Sequence, residues 1–193
     1  MATRKTTNTA IASRRQKQIE DCLYQCLLST PYHSISVVDL CRRVGISRKA
    51  FYNYYQDKEA CLNAMIDRFL HEALLHAAVS IPDEATPLEA AIITLEYWKE
   101  QREFFDIILR NNLLHYLFQR NMNYVLREDR ATLEQLSTPE LKSDTDILAC
   151  YMSSQLTLLL CWYLRGFDTP SHEIALKLLR ILHTPMIAPP TNG

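Results

Sequence analysis

Apolar residues recur along this chain at the spacing of helices rather than strands. Ile19, Cys22, Leu23, Cys26 and Leu27 fall at i, i+3, i+4, i+7 and i+8, one buried face of a helix from about Arg14 to Leu28. Thr30-Pro31 ends it. Val37, Leu40, Cys41 and Val44 form a second, shorter face. Ser36 stands where a cap is needed, Asp39 completes a capping box, and Ile35 can staple onto Leu40. Gly45 supplies a left-handed stop. Ser47 then caps a third helix, with Ile46 set against Phe51. Two short helices joined by a tight Gly-containing turn are the signature of a helix-turn-helix. Asp57 opens a long fourth helix that reaches about Val79.

Beyond Pro82 the pattern stays helical. Thr86-Pro-Leu-Glu89 is a second capping box with Pro at the first helical position, and its helix runs to about Gln101. Segments 103–112 and 113–136 read as helices with a bend between them. Ser143 caps an uncharged helix that stops at Arg165-Gly166, and Thr169-Pro170 starts a last helix to about His183. The Pro-rich end, 186–193, reads as a flexible tail, and residues 1–13 read as a disordered basic arm. The outline is all-α with about nine helices: a head over 14–60 and a bundle over 61–185.

Composition supports this. Only Gly45, Gly166 and Gly193 occur among 193 residues, which argues against a turn-rich all-β fold. The net charge of -1 hides an asymmetry. Residues 1–55 carry nine Lys and Arg against three acids, whereas the remainder carries 12 basic and 19 acidic residues. A basic head on an acidic body points to a polyanion partner for the head. The six cysteines form no CxxC pair and read as small buried hydrophobes of a cytoplasmic protein. No apolar signal core opens the chain. Residues 147–164 are uncharged and sit at the lower edge of a membrane span. Ser153, Ser154, Gln155 and Thr157 near the middle favour a core or subunit-interface helix, so no membrane is expected.

The stretch RKAFYNYY, Arg48 to Tyr55, divides on a helical wheel. Ala50, Phe51, Tyr54 and Tyr55 lie on one side, and Arg48, Lys49, Tyr52 and Asn53 on the other. The first group suits the core. The second suits a DNA major groove, where Arg reads guanine, Asn reads adenine, and Lys and Tyr reach phosphates or base edges. The alternative reading is plain solvation of those charges. Against it stand Arg42 and Arg43 at the end of the preceding helix, and the basic arm, placed to enter a minor groove.

The segment ISVVDLCRRVGISRKAFYNYYQDKEACL resembles the DNA-binding head of the TetR family of bacterial transcriptional regulators. Gly45, Ile46 and Ser47 match its turn; Tyr52, Tyr54 and Tyr55 match its recognition-helix aromatics; Lys58 and Glu59 match its fourth-helix start. Lys49 and Ala50 depart from the Gly and Thr or Ser often found there, which removes one hydroxyl contact. The resemblance implies phosphate contacts from Ser36, Tyr54 and Lys58, and groove contacts from Arg48, Lys49 and Tyr52; Arg43, Ser47 and Asn53, read from their positions, complete the candidate DNA-binding set. It also implies a body that binds a small-molecule effector and a homodimer through the last two long helices. Leu156, Leu159, Leu160, Trp162 and Tyr163 suit that interface. Trp98, Phe105, Asn112, His115, Tyr116, Tyr151 and Gln155 are the candidate effector-binding residues, with core filling as the alternative.

The expectation is a repressor that binds a palindromic operator in double-stranded DNA and is released by its effector. The rivals are a DNA-binding regulator or activator without an inducer, and an α-helical interaction protein. No HExxH, P-loop, GxSxG or GxGxxG occurs, so neither an enzyme nor a cofactor is expected. His71 and His76 are five apart, poorly placed to share a metal, and no metal site is expected.

Overall fold

The computed structural model describes residues 2–123, 126 and 145–181, and all regular structure in them is helical. The α-helices are α1 (Ala2–Leu27), α2 (Val37–Val44), α3 (Arg48–Tyr52), α4 (Lys58–Ser80), α5 (Pro87–Glu100), α6 (Arg102–Arg110), α7 (Leu114–Asn123), α8 (Thr145–Leu164) and α9 (Ser171–Ile181). A 3-10 turn, Tyr32–Ser34, precedes α2. The chain separates into two compact units, Met1–His71 with Asp106–Arg120, and Glu72–Phe105 with Asn121–Gly193. The boundary expected at 60/61 falls inside α4, and the first unit also takes in 106–120.

In the first unit, α1 packs on α2 and α2 on α3. Ile19, Leu23, Cys26 and Leu27 of α1 are buried, as are Leu40, Cys41, Phe51, Tyr55, Leu62, Met65 and Ile66. The capping box at Ser36 is formed, and the helix ends at Gly45 with φ of 72°. The Ser47 hydroxyl accepts the Ala50 N–H to start α3, and Asp57 accepts the Ala60 N–H at the start of α4. In one respect the structure differs from the sequence pattern. Residues 2–13 are helix rather than an irregular arm. No Gly or Pro lies between Ala2 and Leu27, so once the Ile19–Leu27 face has nucleated a helix, each added turn meets no breaker.

The second unit is built on α5, α8 and α9. Ala91, Leu95 and Trp98 of α5 are buried, as are Ile174, Ala175 and Leu178 of α9, and these two helices pack together. Trp98, Phe104, Phe105, Tyr163, Phe167 and Trp162 form a chain of ring contacts with centroids 4.8–6.2 Å apart. Helix α8 ends at Gly166, φ 73°, followed by Phe167, also at positive φ. The Phe167 N–H donates back to the Trp162 carbonyl and the Trp162 indole donates to the Thr169 carbonyl.

Two expectations about α8 are overturned. Leu156, Leu159, Leu160 and Trp162 face inward, with Trp162 fully buried, so they are core rather than an outer interface. Cys150 and Cys161 are exposed, not buried. The cause is common to both. The helix is apolar on every side, so hydrophobicity alone cannot say which arc faces the core. Expectations that fall on 124, 125, 127–144 or 182–193, including the Ser143 cap and the tail, lie outside the described residues.

Candidate nucleic-acid interface and effector site

Helix α3 presents two chemically distinct faces. Phe51 and Tyr55 are buried and Tyr54 is half-buried, whereas Ser47, Arg48, Lys49, Tyr52 and Asn53 are exposed. Phe51 anchors the helix through ring contacts with Tyr52 at 5.6 Å and Tyr55 at 5.7 Å. The Tyr52 ring is therefore braced on the core while the residue stays 47% exposed. Arg42 and Arg43 are exposed at the end of α2, and Arg42 lies 3.4 Å from Asp39. Hydrogen bonding from Ser36 holds the Asp39 carboxyl below its ordinary value. Four cations and three polar groups thus share the outer surface around one short helix seated by Phe51.

Behind this surface lies a polar frame. The Tyr55 hydroxyl donates to Glu20 at 2.7 Å, and the Arg68 guanidinium reaches Glu20 at 2.6 Å and Asp21 at 2.7 Å. Burial, reinforced by Glu20, pushes the Tyr55 phenol well above its ordinary value. Lys58 donates to the carbonyls of Tyr32 and Ile35, each at 2.7 Å, and lies 4.1 Å from the centre of the Tyr32 ring. Burial lowers its pKa. The expected phosphate ligand Lys58 therefore already holds the loop before α2 with two of its three donors. Asn111 accepts the Tyr32 N–H at 2.8 Å and donates to the Ile107 carbonyl at 2.9 Å. Tyr116 donates to Glu59 at 3.0 Å, and Arg120 pairs with Asp67. Spacing along the chain carries no signal for these long-range pairs.

The seven candidate effector residues divide between the units. Asn112, His115 and Tyr116 belong to the first. There Asn112 stands at φ 56° and terminates α6, His115 is exposed, and Tyr116 is engaged with Glu59. Trp98, Phe105, Tyr151 and Gln155 belong to the second. Trp98, Phe105 and Gln155 are buried, and burial raises the Tyr151 phenol. A shallow groove of about 370 Å³ on the second unit is lined by Pro82, Glu84, Ala85, Glu89, Ile92 and Ile93, none of them in the expected set. Asn121, which sequence reasoning missed, is buried, and its Nδ2 has no hydrogen-bond partner among the described residues. Among those residues no group of three His, Cys, Asp or Glu side chains could hold a metal ion.

Residues 24–65 match the bacterial regulatory proteins of the tetR family. The chain matches no protein of curated function. Its fold is shared by solved structures of low identity. A TetR transcriptional regulator from Streptococcus agalactiae superposes with a TM-score of 0.60 at 17% identity, covering 92% of this chain and 98% of that one. The fatty acid degradation regulator FadR from Bacillus halodurans gives 0.54 at 13% identity, covering 91% and 97%. Thermus thermophilus FadR, a TetR-family repressor solved with lauroyl-CoA, gives 0.50 at 18% identity, covering 92% and 98%. The match confines the likeness to the head: residues 24–65 are similar to tetR-family regulators, and the chain as a whole shares the helical fold of these solved structures.

Proposed function

We propose that the chain is a dimeric repressor. Each protomer lays α3 in the major groove of one half-site of a palindromic operator, and a small molecule held by the second unit releases it. The observation that carries the DNA reading is the sorting of α3, with Phe51 fully buried and Arg48, Lys49, Tyr52 and Asn53 all outward. Arg48 and Asn53 have the donor geometry for base edges, while Lys49 and Tyr52 suit phosphates as well. Ser36, Arg43, Ser47 and Tyr54 flank them and position the head on the backbone. Two-fold symmetry calls for half-sites about one helical turn, ~34 Å, or a multiple apart.

An effector of largely apolar character fits the second unit. Trp98, Phe105 and Tyr151 offer aromatic surface, and Gln155 and Asn121 offer buried amides among it. The lauroyl-CoA held by the Thermus protein is consistent with that chemistry. The effector acts only by its differential affinity for the bound and released states.

The test is retention of sheared genomic DNA by the purified chain at physiological salt, followed by sequencing. An Arg48→Ala/Lys49→Ala/Tyr52→Ala variant runs beside it. The expected result is a palindromic motif enriched by the native chain and lost in the variant. Equal retention by both, with the variant folded, overturns the reading.

A further inference from the structure

The exposed arc of α8 has an unusual order. Its outward positions are Asp146, Ile147, Cys150, Thr157, Cys161, Leu164 and, just past the helix, Arg165, with Ser154 half-buried between them. At 3.6 residues per turn these eight fall within about 100° of arc. The opposite side, Leu148, Gln155, Leu159 and Trp162, is buried in the unit. From Ile147 to Leu164 the spacing alternates three and four, the heptad rhythm of a helix that packs along its length on another helix.

The order reads the same from either end about the point between Gln155 and Leu156. Asp146 mirrors Arg165, Ile147 mirrors Leu164, Cys150 mirrors Cys161, and Ser154 mirrors Thr157. A two-fold axis through that point sets the helix antiparallel to its own copy and brings each residue against its mirror partner. Acid then meets base at both ends, large aliphatic meets large aliphatic, and small hydroxyl meets small hydroxyl at the centre. Arg165 is held 3.6 Å from Asp168 and would share its charge with the second carboxylate. Self-complementarity of this kind is what an isologous contact requires. A lipid surface does not fit the same arc, because it carries Asp146, Ser154, Thr157 and Arg165.

We propose that this arc is the seat of a second copy of the chain, and that it places Cys150 of each protomer against Cys161 of the other as a thiol pair able to lock the dimer. This rests on the dimeric reading above and specifies its chemistry. Small side chains at the four central positions let the helix axes approach to about 8 Å. With Cα atoms about 2.3 Å from each axis, facing residues come within the ~4.4–6.8 Å that a disulfide spans. A peroxide supplies the oxidant. One thiol takes an oxygen from hydrogen peroxide to give a sulfenic acid and water. The facing thiol then displaces that hydroxyl, forming the S–S bond and a second water. Each bridge removes two electrons from the sulfurs and reduces one peroxide, and the symmetry gives two bridges.

The full-length chain is prepared reduced, its mass in solution is measured by sedimentation, and it is treated with hydrogen peroxide and run on a non-reducing denaturing gel. The native chain is expected to give a dimer band that dithiothreitol removes. Cys150→Ser and Cys161→Ser are each expected to give no such band, because every bridge needs one cysteine of each kind. Mixing the two variants under subunit exchange is expected to restore it in roughly half the chains, the share of mixed dimers that random pairing gives. A dimer band from either variant alone overturns the pairing. So does a native chain that sediments as a dimer yet yields no band. A reduced native chain that sediments as a monomer removes the dimeric reading itself.

Discussion

Asn111 reaches across 79 positions of sequence to accept the backbone N–H of Tyr32. That single amide ties the α6–α7 corner to the loop that leads into the helix-turn-helix. Its other end is fixed on the Ile107 carbonyl, so the side chain cannot swing away without losing two bonds. The first unit is therefore completed by residues far along the chain.

Asn111→Leu leaves the Tyr32 N–H without its acceptor. The expected cost is about 1–2 kcal/mol. It is read as a lower denaturation midpoint with unchanged slope, together with faster hydrogen exchange at the Tyr32 amide.

Glu20 is nearly buried, and Arg68 neutralises it with one fifth of its side chain exposed. Arg68→Met strands a buried carboxylate. The loss is expected near 3 kcal/mol, at the low end for such pairs because the site is not fully closed. The double change Glu20→Leu/Arg68→Met should recover much of it in a double-mutant cycle.

The raised Tyr55 phenol makes stability depend on alkaline pH. Unfolded, the phenol ionises near 10.0, whereas in the fold burial and Glu20 keep it protonated. The folded chain then holds the proton that the unfolded chain gives up. Stability is thus fully present below pH about 10 and falls as pH rises beyond it. Tyr55→Phe should lower stability at pH 7 through the lost bond to Glu20 while flattening that alkaline decline, as followed by urea midpoints across pH 8–12.

Gly45 stands at φ +72°, with open space where a Cβ would sit. Only backbone strain then opposes substitution. Gly45→Ala should cost about 1–2 kcal/mol and Gly45→Asn less, because Asn tolerates the left-handed region. Thermal melts of the two variants give the order.

Lys49 and Arg48 predict different signatures on DNA. Lys49→Ala should weaken binding to all sequences alike and reduce the salt slope by about one. Arg48→Ala should cost about 1–3 kcal/mol and relax preference at one base pair. Competition binding at several salt concentrations separates them.

The head was largely legible in the sequence because its signals are local. Ser36 with Asp39, Gly45 and Ser47 with the Phe51 side each act within one turn, and each formed as its chemistry requires. The faces of α8 were not legible. A helix without charges from Ile147 to Leu164 offers no polar side to mark the solvent, so Leu159 and Cys161 look alike in the string although one is buried and the other exposed. The effector residues were harder still. Asn112 and Tyr116 are among the candidates, and in the fold Asn112 stands at positive φ while Tyr116 donates to Glu59. Such partners are set by tertiary packing, which no local window contains.

Lys58 begins α4 and at the same time grips the carbonyls of Tyr32 and Ile35. In mechanical terms it is a pin joint without backlash. One side chain thereby fastens the first coil of α4 to the residues just before the Ser36 cap of α2. A lysine at this point thus makes the start of the long helix and the entry to α2 share one fastening.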